Sequence, residues 1–148
     1  MSKLMFGNTE IVSGWAASKF DARFSNILAT VGALDKDGTL IGAAVLHDHT
    51  RYDVELSYYG AGTLSLDMCK AIAWLVFEFG KLQRVSICVA RRNKKLTRAL
   101  PRIGWVYEGC KRRQFGPFKG DDGLVWGILR KEAGKFLRGK DGQISKAA

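Results

Sequence analysis

Histidine and cysteine are scarce in this chain of 148 residues, which holds two of the first and three of the second. His47 and His49 could suggest a metal pair, but two imidazoles without a third ligand at a suitable spacing do not make a site, so no metal is expected. Cys69, Cys88 and Cys110 are odd in number and sit in apolar or basic stretches. That suits reduced thiols rather than a disulfide framework and places the protein in the cytoplasm. Long apolar runs are missing too. The stretch from Ala71 to Phe79 is interrupted by Glu78, well short of the roughly 20 residues that cross a bilayer, so no membrane is expected as a partner. Met1 to Phe6 offers too few apolar residues for the core of a signal peptide. With no internal repeat and no long linker, one domain is expected over residues 1–133. A basic tail, 134–148, loses apolar periodicity and is expected to be flexible.

Acidic residues are what the second half lacks. Residues 1–80 carry 6 Lys or Arg against 9 acids, whereas residues 81–148 carry 18 against 5. Such asymmetry calls for a partner bearing negative charge, and phosphate groups of a nucleic acid or of a nucleotide cofactor both qualify. Between Arg91 and Arg113 there are nine basic residues and one acid. Trp105, Tyr107 and Phe115 in and around that stretch could stack on bases, the first two sharing one strand face.

What is present is a regular alternation of strand and helix signals. The segment Asn8 to Phe24 fits a short helix or two only loosely. Ile27 to Leu34 and Leu40 to Leu46 read as a hairpin closed by the turn Asp35-Lys36-Asp37-Gly38. Tyr52 to Tyr58 alternates as a third strand. Leu64, Met68, Ile72, Leu75, Val76 and Phe79 then repeat at helical spacing until Gly80 supplies a stop. Arg84 to Ala90 is a buried strand reached by a right-handed crossover. A helix from Asn93 to Ile103 follows, with Pro101 disturbing its last turn, and two strands, Trp105 to Phe115 and Leu124 to Lys131, end the pattern. The order is βββαβαββ after an unassigned start.

That order, together with Asn93-x-x-Leu96 leading to Gly104-Trp105-x-x-Glu108-Gly109-x-x-Arg112, resembles the GNAT superfamily of N-acetyltransferases. The likeness is to the branch that acetylates ribosomal proteins, and as a short, basic version of this fold the chain also resembles proteins encoded by tailed bacteriophages. The resemblance implies an α/β (α+β) fold with a mixed, mostly antiparallel sheet flanked by helices and an acyl-coenzyme A cleft where the central strands splay. It implies acetyl-coenzyme A as co-substrate and direct transfer to an amine, the acceptor being a protein. The localisation would be cytoplasmic, in the host if the gene belongs to a phage.

In that resemblance, backbone groups of Leu56 and Ser57 would pair with the pantetheine arm, and Gly60, Ala61, Gly62 and Thr63 would offer N–H groups to the pyrophosphate. Asn93, Lys95 and Arg98 would meet the cofactor from the basic helix. Glu55 is the candidate base that frees the attacking amine, whose pKa near 10.4 otherwise keeps it protonated. Tyr58 is the second catalytic candidate. The resemblance is not complete: Leu100 stands where many members carry the Tyr that protonates the departing thiolate, and Ser57 opens the phosphate loop where Gln or Arg is usual. An alternative follows from those departures, a protein that keeps the fold, has lost catalysis, and grips nucleic acid or an acidic host protein through its basic half.

Overall fold

The computed structural model describes residues 3–60 and 65–137. Seven strands and four helices follow in the order β1 (Lys3–Phe6), α1 (Thr9–Phe20), β2 (Ala29–Leu34), β3 (Leu40–His47), β4 (Asp53–Gly60), α2 (Leu66–Ala73), β5 (Arg84–Ala90), α3 (Lys94–Arg102), β6 (Val106–Lys111), β7 (Gly123–Leu129) and α4 (Gly134–Leu137). They make one sheet in the order β1-β2-β3-β4-β5-β7-β6. Every neighbouring pair is antiparallel except β4 and β5.

The β2–β3 hairpin forms where Asp35 and Gly38 close the turn: Asp35 Oδ1 accepts from the backbone of Asp37 and Thr39, and Gly38 takes a φ of 84°. β3 is buried on both faces over Ala43 to His47, which is why its sequence runs apolar without alternating. Its two faces serve two cores. Ala44 and Leu46 join Val31, Val54, Leu56 and the residues of α2 in the larger one, while Ala43 and Val45 meet Val12 and Ala16 of α1 on the other side. Only Val12 and Ala16 are buried on α1, a narrow stripe that explains its faint periodicity. Gly32 lets the helix approach, since a Cβ there would stand 3.1 Å from Val12 Cγ2.

Ser65 caps α2 by accepting from Met68 N at 3.1 Å. The helix then widens into a π-helical segment, Trp74–Phe79, with Gly80 N donating to Leu75 O at 2.8 Å. Gly80 stops the helix in a way the sequence did not suggest. Its φ is −79°, and Lys81 takes the left-handed conformation at φ 55°. Glycine is needed for space, because a Cβ would lie 3.0 Å from the carbonyl oxygens of both Leu75 and Val76. Phe77 is fully buried, but Phe79 is exposed and stacks on Trp74.

The chain closes on α4, whose Phe136 is buried in the larger core. The packed unit therefore includes residues beyond 133, and 138–148 lie outside the described residues. No helix among the described residues is long and apolar enough to cross a membrane.

Candidate functional site

β4 and β5 run side by side only as far as the pair Leu56 and Ile87. Beyond it β4 stays with β3 to Gly60, while β5 stays with β7 to Ala90. The two central strands therefore diverge, and the facing edges of 57–60 and 88–90 have no strand between them. A cavity of about 590 Å³ opens there, lined by Glu55 to Tyr59 of β4, Ser86 to Ala90 of β5, and Arg92, Asn93, Leu96, Lys111, Gln114 and Phe115. An extended chain carrying amides fits such a gap, because free strand edges present unpaired N–H and C=O groups to it.

Charge is divided across this cavity. Glu55 is exposed on the β4 side and has no ion-pair partner among the described residues. Its side chain lies near those of His47 and Asp48, with one ligand-type atom from each of the three within 4.8 Å of the others. Arg92 and Lys111 line the opposite side, Arg92 being paired with Asp121. Asn93 lines the same side and caps α3, its Oδ1 accepting from Leu96 N at 3.2 Å. Lys95 and Arg98 are exposed on that helix, outside the residues lining the cavity and without an ion pair among the described residues.

Alternation along β4 separates the two catalytic candidates. Glu55, Ser57 and Tyr59 face α1, whereas Leu56 and Tyr58 face the larger core. The Tyr58 hydroxyl lies over Gly42 of β3, 2.8 Å from where a Cβ would stand, on the side of β4 away from β5. Burial raises the Tyr58 pKa, with a smaller contribution from Cys69. Glu55 and Tyr58 both line the cavity, but they stand on opposite faces of β4.

The structure places a polar chain beside Glu55 instead. Ser57 Oγ is 2.8 Å from His47 Nε2, His47 Nδ1 is 2.7 Å from Asp48 Oδ2, and Ser25 Oγ donates to Asp48 Oδ1 at 2.8 Å. His47 is 7% exposed, and the ring of Phe24 packs against it with centroids 5.3 Å apart. Hydrogen bonds from His47 first and Ser25 second hold the Asp48 carboxyl below its ordinary pKa. His47, read from sequence as part of a turn, ends β3. Once the hairpin register is fixed, with Val45 opposite Ser57 and His47 opposite Glu55, its ring must fall diagonal to Ser57. That register was the available signal.

Packing sets the surroundings of the other residues singled out in the sequence. Gly60 has φ 143°, and a Cβ on it would stand 2.7 Å from Ile41 O and 2.8 Å from Gly42 Cα. Glycine is required there by the β3–β4 pairing, whatever the loop binds. Ala61, Gly62 and Thr63 lie outside the described residues. Leu100 is fully buried in the larger core. Trp105 is buried as well, and Tyr107 packs edge-on against Trp126, so Trp105 and Tyr107 do not form a stacking pair for bases. Cys110 is exposed on the edge strand.

No protein-family model matches the sequence, and no curated protein matches it. Solved structures do match. Mutant forms of the spermidine/spermine N-acetyltransferase SpeG from Vibrio cholerae superpose with a TM-score of 0.73 at 14% identity, covering 90% of this chain and 97% of that one. The fold is that of the GNAT N-acetyltransferases. SpeG in complex with manganese ions matches at TM-score 0.71 and 16% identity over 88% of this chain and 93% of that one. A dodecameric spermidine N-acetyltransferase from the same organism matches at 0.69 and 14%, over 88% and 94%. The GNAT arrangement expected from sequence is thus present, with its mostly antiparallel sheet and its central strands parted.

Proposed function

We propose that this protein is an acetyl-coenzyme A-dependent N-acetyltransferase whose acceptor is a polyamine or a similar aliphatic amine. The parting of β4 from β5 after Leu56 and Ile87 carries the reading. It leaves the free backbone edges of Ser57 and Cys88 for a pantetheine arm. It also sets the exposed carboxylate of Glu55 across the cavity from Arg92 and Lys111. The acidic side suits a cationic acceptor and the basic side suits phosphates. Lys95 and Arg98 extend the basic side along α3, which Asn93 caps. The names of the similar solved structures support an amine of the polyamine class over a protein acceptor.

The chemistry requires a free amine, a held carbonyl and a proton for the departing thiolate. Glu55 attracts and orients the ammonium group. The backbone of β4 orients the thioester. When bound, acetyl-coenzyme A supplies the activated acetyl group. Calorimetric titration with acetyl-coenzyme A, followed by mass analysis of spermidine, spermine and a lysine peptide incubated with both, tests this. Micromolar binding and an acetylated polyamine are expected. Absence of binding overturns the reading, and acetylation confined to the peptide overturns the acceptor class.

A further inference from the structure

Transfer in this cleft needs a route for protons, and the usual acid position is filled by buried Leu100. Tyr58 turns its hydroxyl over β3. Ser57, by contrast, lines the cavity on the face of Glu55 and is bonded to an imidazole that is itself bonded to a carboxylate. The order of atoms is informative. Ser57 Oγ faces His47 Nε2, and Asp48 faces His47 Nδ1, which fixes the ring with Nδ1–H donating and Nε2 free to accept the serine proton. Ser25 in turn fixes Asp48. A serine needed only for packing would not require an oriented imidazole behind it.

We propose that Ser57, His47 and Asp48 form a proton relay serving the acetyl transfer. The proposal rests on the acetyltransferase reading above. Ser57 Oγ touches the acceptor, and His47 and Asp48 act through it as positioning residues. The ammonium nitrogen of the acceptor gives one proton to Ser57 Oγ while the serine proton passes to His47 Nε2. The freed amine attacks the thioester carbon, the N–C bond forms and the C–S bond breaks, and the proton left surplus on the nitrogen goes to solvent in the open cavity. The imidazolium, held by Asp48, returns its proton through Ser57 to the departing thiolate. Ammonium plus thioester thus becomes amide, thiol and one proton released to water, and every protein group regains its starting state. The charged groups beside His47 are Asp48, which follows it, and Glu55, which stands opposite on β4.

The test compares two nucleophiles. Spermidine arrives protonated and needs the relay, whereas hydroxylamine is largely neutral at neutral pH and does not. Thiol release from acetyl-coenzyme A is followed for the native protein and for Ser57→Ala, His47→Gln and Asp48→Asn. Ser57→Thr is the conservative rescue, and acetyl-coenzyme A affinity is measured calorimetrically for each. Ser57→Ala and His47→Gln should lower kcat with spermidine by about a hundredfold or more and with hydroxylamine by less than about fivefold, at unchanged affinity. Ser57→Thr should restore most of the rate. Equal losses with both nucleophiles, or no loss with either, overturn the relay and leave the acetyltransferase reading standing. An acetyl group trapped on Ser57 also overturns it, because the serine would then be a nucleophile. A native protein that binds acetyl-coenzyme A and releases thiol to neither amine overturns both readings.

Discussion

Gly60 and Gly127 show how single missing side chains shape the sheet around the cleft. At Gly60 a Cβ meets backbone atoms of Ile41 and Gly42, which cannot swing aside. Gly60→Ala should therefore lower the stability measured by urea unfolding by more than about 1 kcal/mol, whatever it does to ligand binding. At Gly127 the neighbour is the end of a side chain. A Cβ would lie 2.5 Å from Glu108 Oε2, the carboxylate that crosses β7 to reach Arg84 Nη1 at 2.8 Å. Its hydrogen bond is the largest reason why the Arg84 pKa is raised. Gly127→Ala should displace Glu108 and cost about 1 kcal/mol or less. Adding Glu108→Ala should then cost little more, a non-additivity that a double-mutant cycle measures. Among the thiols, burial pushes Cys69 up to about 11 while Cys110 is exposed. At neutral pH, alkylation mapped by mass should mark Cys110 well before Cys69.

Among the elements, the β6–β7 hairpin depends on one carboxylate. Asp122 Oδ1 accepts from Arg113 N at 2.8 Å and from Arg113 Nη1 at 2.6 Å, with Arg91 Nη2 3.6 Å from Oδ2. The backbone bond from Arg113 first, and the two guanidiniums after it, lower its pKa from the ordinary 3.8. A carboxyl with a lowered folded-state pKa contributes stability that is complete above its unfolded value and is lost as pH falls through the folded one. The urea midpoint of the native protein should therefore drop on acidification between about pH 5 and about pH 2, and Asp122→Asn should flatten that drop. The hairpin was legible because its second strand is apolar and the connection before it carries Gly116, Pro117 and Gly120. Asp122 was not, since nothing local distinguishes it from its neighbour Asp121, which is spent on Arg92.

At the scale of the whole molecule, the uneven charge becomes an uneven surface. Lys95 and Arg98 stay exposed on α3, beside the mouth that Asn93 lines. Ala substitution at either should weaken acetyl-coenzyme A binding by about two- to fivefold, and rising salt should shrink the difference. Cys88 lines the cavity on β5. Acetyl-coenzyme A should shield it from alkylation while leaving Cys110 reactive, which would locate the ligand without any turnover.

The sequence alone determined the order of elements from β2 to β7, because turn residues and apolar periodicity are local properties, whereas α4 fell in the stretch expected to be a flexible tail. β5 matched its expected bounds from Arg84 to Ala90. The position of the cleft was also legible through the resemblance to a known element order. β1 was missed because four residues carry too little periodicity, and α1 was faint because it buries so few side chains. Only the tertiary structure decided which face of β4 each candidate occupies, splitting Glu55 from Tyr58. Only it joined Ser57 to His47 and Asp48, since that contact follows from the pairing register of two strands, and register is a property of the assembled sheet rather than of either strand.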